Sequence, residues 1–137
     1  MPSLPPAIAA ERLAQARIGH LATVGADGAP HVVPVCFAVT ADHIVTAVDA
    51  KPKQTRALKR LANVEATGRA SLLVDHYEED WTRLWWVRAD GRAHVIGSEE
   101  AIDALAAKYA QYRERRPAGP VIAIEPERWR SWTATSS

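Results

Sequence analysis

The segment DAKPKQTRALKR, from Asp49 to Arg60, carries a cluster of basic side chains within a few residues of one another: Lys51, Lys53, Arg56, Lys59 and Arg60. No acidic residue occurs between positions 50 and 63, so neighbouring carboxylates do not neutralise these charges locally. Strand-like alternation stops in this segment, and Leu58, Leu61 and Ala62 follow at helical spacing. The cations therefore lie at the predicted start of a helix.

We expect that helix to begin near Pro52, which leaves the backbone N–H groups of about residues 53 to 56 unpaired and pointing towards any anion placed there. Lys53, Arg56 and Arg60 follow at spacings of three and four, so they share one helix face. Thr55 adds a hydroxyl donor. This combination suits a phosphate or another polyanion. The alternative is an ordinary solvent-exposed basic face.

The overall charge indicates that the partner of this cluster is small. The chain has 137 residues, with 17 Lys plus Arg, 16 Asp plus Glu and a formal net charge of +1. A general nucleic-acid binder is expected to be basic throughout. The basic helix remains a possible nucleic-acid contact, but the nearest tryptophans lie beyond Asp80, past an acidic patch, which argues against stacked bases beside the cations.

Length and cysteine content predict a cytoplasmic protein with a single domain spanning residues 1–137. Cys36 is the only cysteine, which excludes an internal disulfide and a zinc site built on paired thiolates. The N-terminus has no cationic start followed by an apolar run, and no stretch approaches the ~18 apolar residues of a membrane span. We therefore expect no membrane span.

Six segments have strand-like patterns: residues 20–25, 30–39, 43–50, 69–77, 82–97 and 120–129. An amphipathic helix starts near Pro5 and is expected to be closed by Gly19, the basic helix follows the third strand, and Ser98 caps a third helix that runs to about Arg115. Short connections join the first three strands and argue against a parallel sheet. The pattern favours a small antiparallel barrel with helices at its rim.

The second strand has a bulky face and a lean face, formed respectively by Val33, Val35, Phe37 and Val39 and by Val32, Pro34, Cys36 and Ala38. The bulky face is predicted to be core. The lean face has room for a flat ring lying along the strand, although a closely packed helix would demand the same small side chains. Pro34 lacks an N–H, so this strand is expected at an edge or at a bulge.

Aromatic residues supply candidate pocket walls. Trp85 and Trp86 lie on opposite faces of the fifth strand, so one is expected in the core and the other in a groove or against a partner subunit. Tyr77 and His76, at the end of the fourth strand, could donate a proton to a reduced substrate, and a surface role is the simpler interpretation of His76. The other histidines have no second ligand at metal spacing, so we predict no metal site.

Several segments together resemble a known family: GHLATVGADGAPHVVPV, KPKQTRALKRLANV, RASLLVDHYEEDWTRLWWVRADGRA and the terminal PERWRSW. The ordered series resembles the pyridoxamine phosphate oxidase-like split β-barrel flavoproteins. It is most similar to their actinobacterial branch that uses the deazaflavin coenzyme F420. The resemblance covers about Ile18 to Trp132. It implies a mainly β (α+β) fold, a six-stranded antiparallel split β-barrel with peripheral helices, and a homodimer with cofactor sites at the subunit interface.

In such proteins the basic helix start holds the cofactor phosphate, which matches Lys51, Lys53, Thr55 and Arg56 here. The expected cofactor-binding set is Pro34, Cys36, Lys51, Lys53, Gln54, Thr55, Arg56 and Arg60, and the expected substrate-binding set is Trp85, Trp86 and Tyr77. Many relatives carry Asn before the helix Leu and Asn-Pro-Arg before the next strand. Ala57 and Thr67-Gly68-Arg69 occupy these places, so no Asn contact is carried over.

The resemblance implies an F420-dependent oxidoreductase that transfers hydride between the reduced deazaflavin and a small unsaturated or quinone-like molecule. Hydride transfer needs few side chains because the cofactor carries the reactive carbon, so we predict no catalytic residue. Nucleophile and nucleotide-loop motifs are absent from the sequence. The alternatives are an FMN-binding split-barrel oxidase or reductase and a non-catalytic cofactor-binding protein. The sequence does not identify the physiological substrate.

Overall fold

The computed structural model describes residues 2–48 and 55–135, with side chains omitted for residues 55–58. The strands in the described part of the chain are β1 (Gly19–Val24), β2 (Pro30–Val35), β3 (Ala38–Val39), β4 (Ile44–Ala47), β5 (Arg69–His76), β6 (Trp85–Ile96) and β7 (Val121–Thr133). The helices are α1 (Pro6–Gln15), α2 (Thr55–Thr67), α3 (Glu99–Lys108) and α4 (Ala110–Glu114), with a 3₁₀ turn at Trp81–Arg83.

The strands form one antiparallel sheet in the order β2-β1-β5-β6-β7-β4-β3. Its two edge strands, β2 and β3, follow one another in the chain and are separated only by Cys36 and Phe37. The chain therefore joins the two edges of the curled sheet, which confirms the mainly β split-barrel architecture with peripheral helices. The described residues form seven strands rather than six, because the predicted strand 30–39 breaks at these two residues.

The core fills the inside of the curled sheet and the space under the helices. Alternate residues of the central strands, such as Leu21, Leu72 and Val87, point inward and are fully buried, as the period of two requires. α1 contributes Leu13 to the same cluster and α2 contributes Val64. A second cluster forms where α3 covers β3, β4 and the start of β7. The helices thus close the barrel that the sheet leaves partly open.

Local signals predicted some element ends well and others poorly. Ser98 caps α3 as predicted, accepting a hydrogen bond of 3.1 Å from the backbone N–H of Ala101. The prediction that Gly19 closes the first helix is wrong, because α1 ends at Gln15 and Gly19 begins β1. The third helix also does not run unbroken to Arg115. It stops at Lys108, and Tyr109 is extended before α4.

The hairpin between β1 and β2 is confirmed, with Gly28 at φ 80° in its turn. Pro34 lies in an edge strand, also as predicted. The longest pairing, between β6 and β7, contains a bulge. Asp90 pairs with Arg128 and Gly91 pairs with Pro126, so the intervening residue of β7 has no partner. This bulge bends the sheet at its centre.

Candidate functional site

Part of the predicted phosphate site lies outside the described residues. Lys51, Lys53 and Gln54 belong to that segment, and so does the predicted helix start at Pro52. Thr55 and Arg56 lie in the first turn of α2, where their backbone is helical. The described part of α2 therefore carries the C-terminal portion of the predicted cluster on a helix.

Arg60 is the member of the predicted cofactor-binding set on α2 whose side chain is described, and it is half-buried. Its Nε atom is buried and has no hydrogen-bond partner among the described residues. Burial lowers the pKa of Arg60, and the nearby Tyr112 of α4 opposes this shift. A guanidinium in such a position keeps a free donor, which an anionic ligand would satisfy.

The break between β2 and β3 is held by hydrogen bonds from distant residues. The hydroxyl of Tyr109 accepts a 3.0 Å hydrogen bond from the N–H of Phe37 and lies 2.9 Å from the carbonyl oxygens of Phe37 and Arg17, one of which receives its proton. The hydroxyl of Thr46 donates to the Cys36 carbonyl at 2.7 Å. The two residues that interrupt the ladder therefore keep partners for their buried backbone groups.

Cys36, predicted to contact the cofactor, is half-buried and packs against the second core cluster with Tyr112. Lys108 lies close to it, with its Nζ atom 3.9 Å from the centroid of the Phe37 ring. That Nζ atom is buried and has no hydrogen-bond partner in the described structure. Burial, followed by repulsion from Arg17, lowers the pKa of Lys108 to about 8, and Cys36 acts in the opposite direction.

We expect Lys108→Met to stabilise the protein at pH 7 by about 1 kcal/mol. The folded pKa of Lys108 lies below its usual 10.5, so folding disfavours its charge at pH 7, and this cost disappears as the pH rises from about 8 to 10.5. Partial exposure and the contact with the Phe37 ring reduce the effect below the full linkage value. Unfolding curves at several pH values test this prediction.

The matched control is Lys59→Met, because Lys59 is exposed. We expect it to change the free energy of unfolding by less than about 0.5 kcal/mol at every pH. A Lys108→Met protein that is less stable than the parent at pH 7 would show that the ammonium has a partner worth more than its desolvation cost.

The predicted assignment of residues to the lean and bulky faces of the second strand is confirmed as far as Phe37. Beyond Phe37 the assignment is wrong. Phe37 is fully buried, and Val32 is 62% exposed on the opposite face. At the break the alternation slips by one residue, so Ala38 is buried and Val39 is exposed. Pro34 is exposed, so the lean side of β2 stays uncovered by the described residues.

That uncovered side continues into an outer face that runs across β2, β1, β5, β6 and β7. Residues paired across neighbouring strands form a row on this face, with one residue from each strand: Val32, Ala22, Ser71, Asp90 and Arg128. A groove of about 610 Å³ lies over this row and includes Gly91 of the bulge. The Asp90 carboxylate accepts hydrogen bonds from Ser71 and Arg88 at 2.7 and 2.8 Å. The groove therefore has a fixed, hydrogen-bonded floor.

Trp86 and Trp85 lie on opposite faces of β6, as predicted. Trp86 is half-buried on the outer face, pairs across the strands with Trp132, and lies 5.9 Å from the guanidinium of Arg88. Trp85 packs against the main core cluster and lies under the guanidinium of Arg12, 5.0 Å from the ring centroid. Tyr77 is 64% exposed after β5.

The structure brings together some of the predicted site residues and separates others. Arg60 interacts electrostatically with Tyr112, and Tyr112 and Cys36 both pack against the second core cluster. Trp85 has ring contacts with Arg12 and His76, and Trp86 has one with Arg88. Of the predicted substrate residues, Trp86 shares the outer face of the sheet with Pro34, whereas Trp85 packs on the opposite face against the core.

Sequence reasoning missed the roles of Arg12, Lys108 and Tyr109. Arg12 contacts Trp85, which is 73 positions away in the chain. Lys108 and Tyr109 contact Phe37, which is 71 and 72 positions away. The sequence offered a usable signal only for Tyr109, since a tyrosine on the apolar side of a predicted helix needs a partner for its hydroxyl.

Among the described residues, no helix is long and apolar enough to cross a membrane, and no three potential ligands cluster around a metal position.

Comparison with known proteins identifies the family. A search of curated protein sequences finds no match. Among solved structures, a conserved hypothetical protein from Mycobacterium tuberculosis is 24% identical, with a TM-score of 0.75 over 96% of this chain and 86% of that one. A FAD-binding protein from Mesorhizobium loti is 21% identical, with a TM-score of 0.71 over 95% of each chain.

The heme storage protein HutZ from Vibrio cholerae is 16% identical, with a TM-score of 0.68 over 96% of this chain and 95% of that one. At these identities the likenesses show a common fold. The model of the pyridoxamine 5'-phosphate oxidase family matches residues 4–133, nearly the whole chain. The order of the strands in the curled sheet, the helices at its rim and this match lead to one conclusion: the chain belongs to the pyridoxamine 5'-phosphate oxidase family.

Proposed function

We propose that this protein is a cytoplasmic F420-dependent oxidoreductase, which transfers hydride between reduced deazaflavin and a small unsaturated or quinone-like substrate. The observation that carries the proposal is the acid-free basic segment that leads into α2, on a barrel of the pyridoxamine 5'-phosphate oxidase family. The buried, unpartnered Nε of Arg60 in the described structure fits a site that an anion completes.

The chain's own residues would bind and orient the coenzyme. Lys51, Lys53, Gln54, Thr55 and Arg56 would hold its phosphate, with Arg60 adding a further donor one turn along α2. Pro34 and Cys36 would border its ring, because they lie on the uncovered side of the chain near the strand break. When bound, the coenzyme supplies the hydride-carrying carbon, and the protein supplies position and a dry environment.

We further propose that two copies pack through the outer face and complete each other's sites. Val32 is largely exposed there, and Leu73, Trp86 and Trp132 on the same face are half-buried. Exposed apolar surface of this kind marks interaction sites. In such a pair, Trp86 of one protomer would lie towards the ligand of the other.

The alternative is an FMN- or FAD-binding oxidase or reductase of the same fold. The similar Mesorhizobium loti protein is described as FAD-binding, and a flavin nucleotide presents a phosphate just as F420 does. A non-catalytic cofactor carrier is the third candidate, since HutZ is described as a heme storage protein. The visible absorption spectrum of the purified protein identifies any chromophore that stays bound, because oxidised flavins, oxidised F420 and heme have different spectra.

The double substitution Lys53→Ala with Arg56→Ala tests the phosphate site. We expect it to weaken F420 binding by roughly 2–4 kcal/mol if both cations form charge-assisted hydrogen bonds to the phosphate. Fluorescence titration of the coenzyme measures the change directly.

The matched control is Arg92→Ala with Arg116→Ala. It removes two cations whose surface ion pairs, with Glu127 and with Glu99 and Asp103, lie elsewhere. This control should bind F420 with nearly the parent affinity. Equal affinity of the folded Lys53→Ala, Arg56→Ala protein and the parent would remove the site assignment.

A further inference from the structure

A second ligand site is suggested by a cleft between α1 and the start of β6, on the described part of the chain. Two adjoining cavities of about 560 and 380 Å³ share three wall residues: Arg12, His76 and Trp85. Arg17 and His20 also line the larger cavity. We call these five residues the Trp85 cleft. Its size is that of a site for a small ring-containing molecule.

Trp85 supplies an aromatic wall in this cleft. The His76 ring lies nearly parallel to the indole, at an angle of 18° and with 6.3 Å between centroids. The Arg12 guanidinium lies over the indole at 5.0 Å from its centroid. Stacked rings and an arginine on the indole hold the wall in one orientation. The indole therefore forms part of both cavity walls with its orientation already fixed.

Arg12 supplies an available positive charge. Among the described residues no carboxylate forms an ion pair with it, and its guanidinium contacts the indole. Arg17 differs, because it donates to the Lys108 carbonyl at 2.9 Å, and Arg83 at the cleft rim lies 3.6 Å from Glu78. A half-buried guanidinium with unused N–H donors beside a cavity is suited to a carboxylate.

His20 gives an independent indication that a ligand belongs here. Its Nδ1 atom is buried and finds no hydrogen-bond partner in residues 2–48 or 55–135. Buried polar atoms in native proteins are nearly always satisfied, so this nitrogen lacks a partner that the described residues do not supply, in a residue that lines the larger cavity. The acidic groups near the cleft are Asp75 and Glu78, and Glu78 is already paired with His76 and Arg83.

We propose that the Trp85 cleft binds a small aromatic carboxylate, with its ring against Trp85 and its carboxylate on Arg12. The donors of Arg12 that have no partner among the described residues favour an anion, and the indole wall favours a flat ring. The binding itself does not depend on a redox cofactor. Whether this ligand is also the substrate that accepts hydride rests on the function proposed above.

The test is a titration of the ¹⁵N-labelled protein, without cofactor, with sodium benzoate and with benzamide as the neutral analogue. The indole N–H signal of Trp85, identified with Trp85→Phe, is expected to shift and saturate with benzoate. Benzamide should bind at least about tenfold more weakly. Arg12→Gln, which keeps a helix-forming residue in α1, should lose about tenfold or more in benzoate affinity.

Arg92→Gln is the matched control, because it removes an exposed cation at the far end of β6 and should leave benzoate affinity unchanged. The proposal is overturned if benzoate does not move the Trp85 signal, if benzamide binds equally well, or if folded Arg12→Gln retains parent affinity. Failure of F420 to bind, with benzoate binding intact, would remove the redox function and leave the cleft as a ligand site.

Discussion

Gly91→Ala is expected to destabilise the protein by about 3 kcal/mol or more. Gly91 lies at the bulge between β6 and β7, where a Cβ atom would stand 2.0 Å from the Glu125 carbonyl oxygen and 3.1 Å from the Pro126 Cα. These are backbone atoms, so they cannot rotate away as a side chain can. The strands must separate locally, which breaks the longest pairing of the sheet. Thermal and denaturant unfolding measure the loss.

Gly97→Ala is the control for this substitution. Gly97 directly follows β6, and a Cβ atom there meets nothing within 4 Å. We expect this variant to be as stable as the parent to within about 0.5 kcal/mol. A Gly91→Ala protein that unfolds at the parent denaturant midpoint would mean that the two backbones do not approach so closely at the bulge.

Tyr109→Phe is expected to cost about 2–3 kcal/mol. The substitution removes the hydroxyl that accepts the Phe37 N–H, and Phe37 is fully buried, so a backbone donor loses its partner away from water. Burial is the largest influence on Tyr109 and raises the pKa of its hydroxyl, so the group keeps its proton and can donate to a carbonyl at ordinary pH. Equilibrium unfolding at pH 7 gives the cost.

Tyr77→Phe removes a chemically identical hydroxyl from an exposed position after β5. Its free energy of unfolding should stay within about 0.5 kcal/mol of the parent value. If Tyr109→Phe is equally harmless, water rather than Tyr109 supplies the hydrogen-bond partners of the Phe37 backbone at the strand break. In that case the hydrogen bonds of Tyr109 do not explain the interruption of the third helix.

The features that the sequence predicted best depend on neighbouring residues. The Ser98 cap, the β1–β2 hairpin and the opposite faces of Trp85 and Trp86 each follow from a few adjacent positions. Capping, turn chemistry and strand alternation act over that range, so the chain reveals them without a partner element. The family resemblance added the closure of the barrel, which local patterns left open.

The features that the sequence did not predict depend on long-range contacts. The predicted strand 30–39 breaks because Tyr109 and Thr46 satisfy the backbone of Phe37 and Cys36 from elsewhere in the fold. The predicted third helix is interrupted at Tyr109 for the same reason. The contact of Arg12 with Trp85 joins α1 to β6, and no spacing along the chain indicates it.

The most direct test of the central claim is a side-by-side titration of the purified protein with F420, FMN and FAD, followed by coenzyme fluorescence. We expect the protein to quench or shift F420 fluorescence with saturation and to bind FMN and FAD more weakly. A protein that is purified with bound FMN or FAD, or one that saturates with FMN or FAD and leaves F420 fluorescence unchanged, would contradict the proposal.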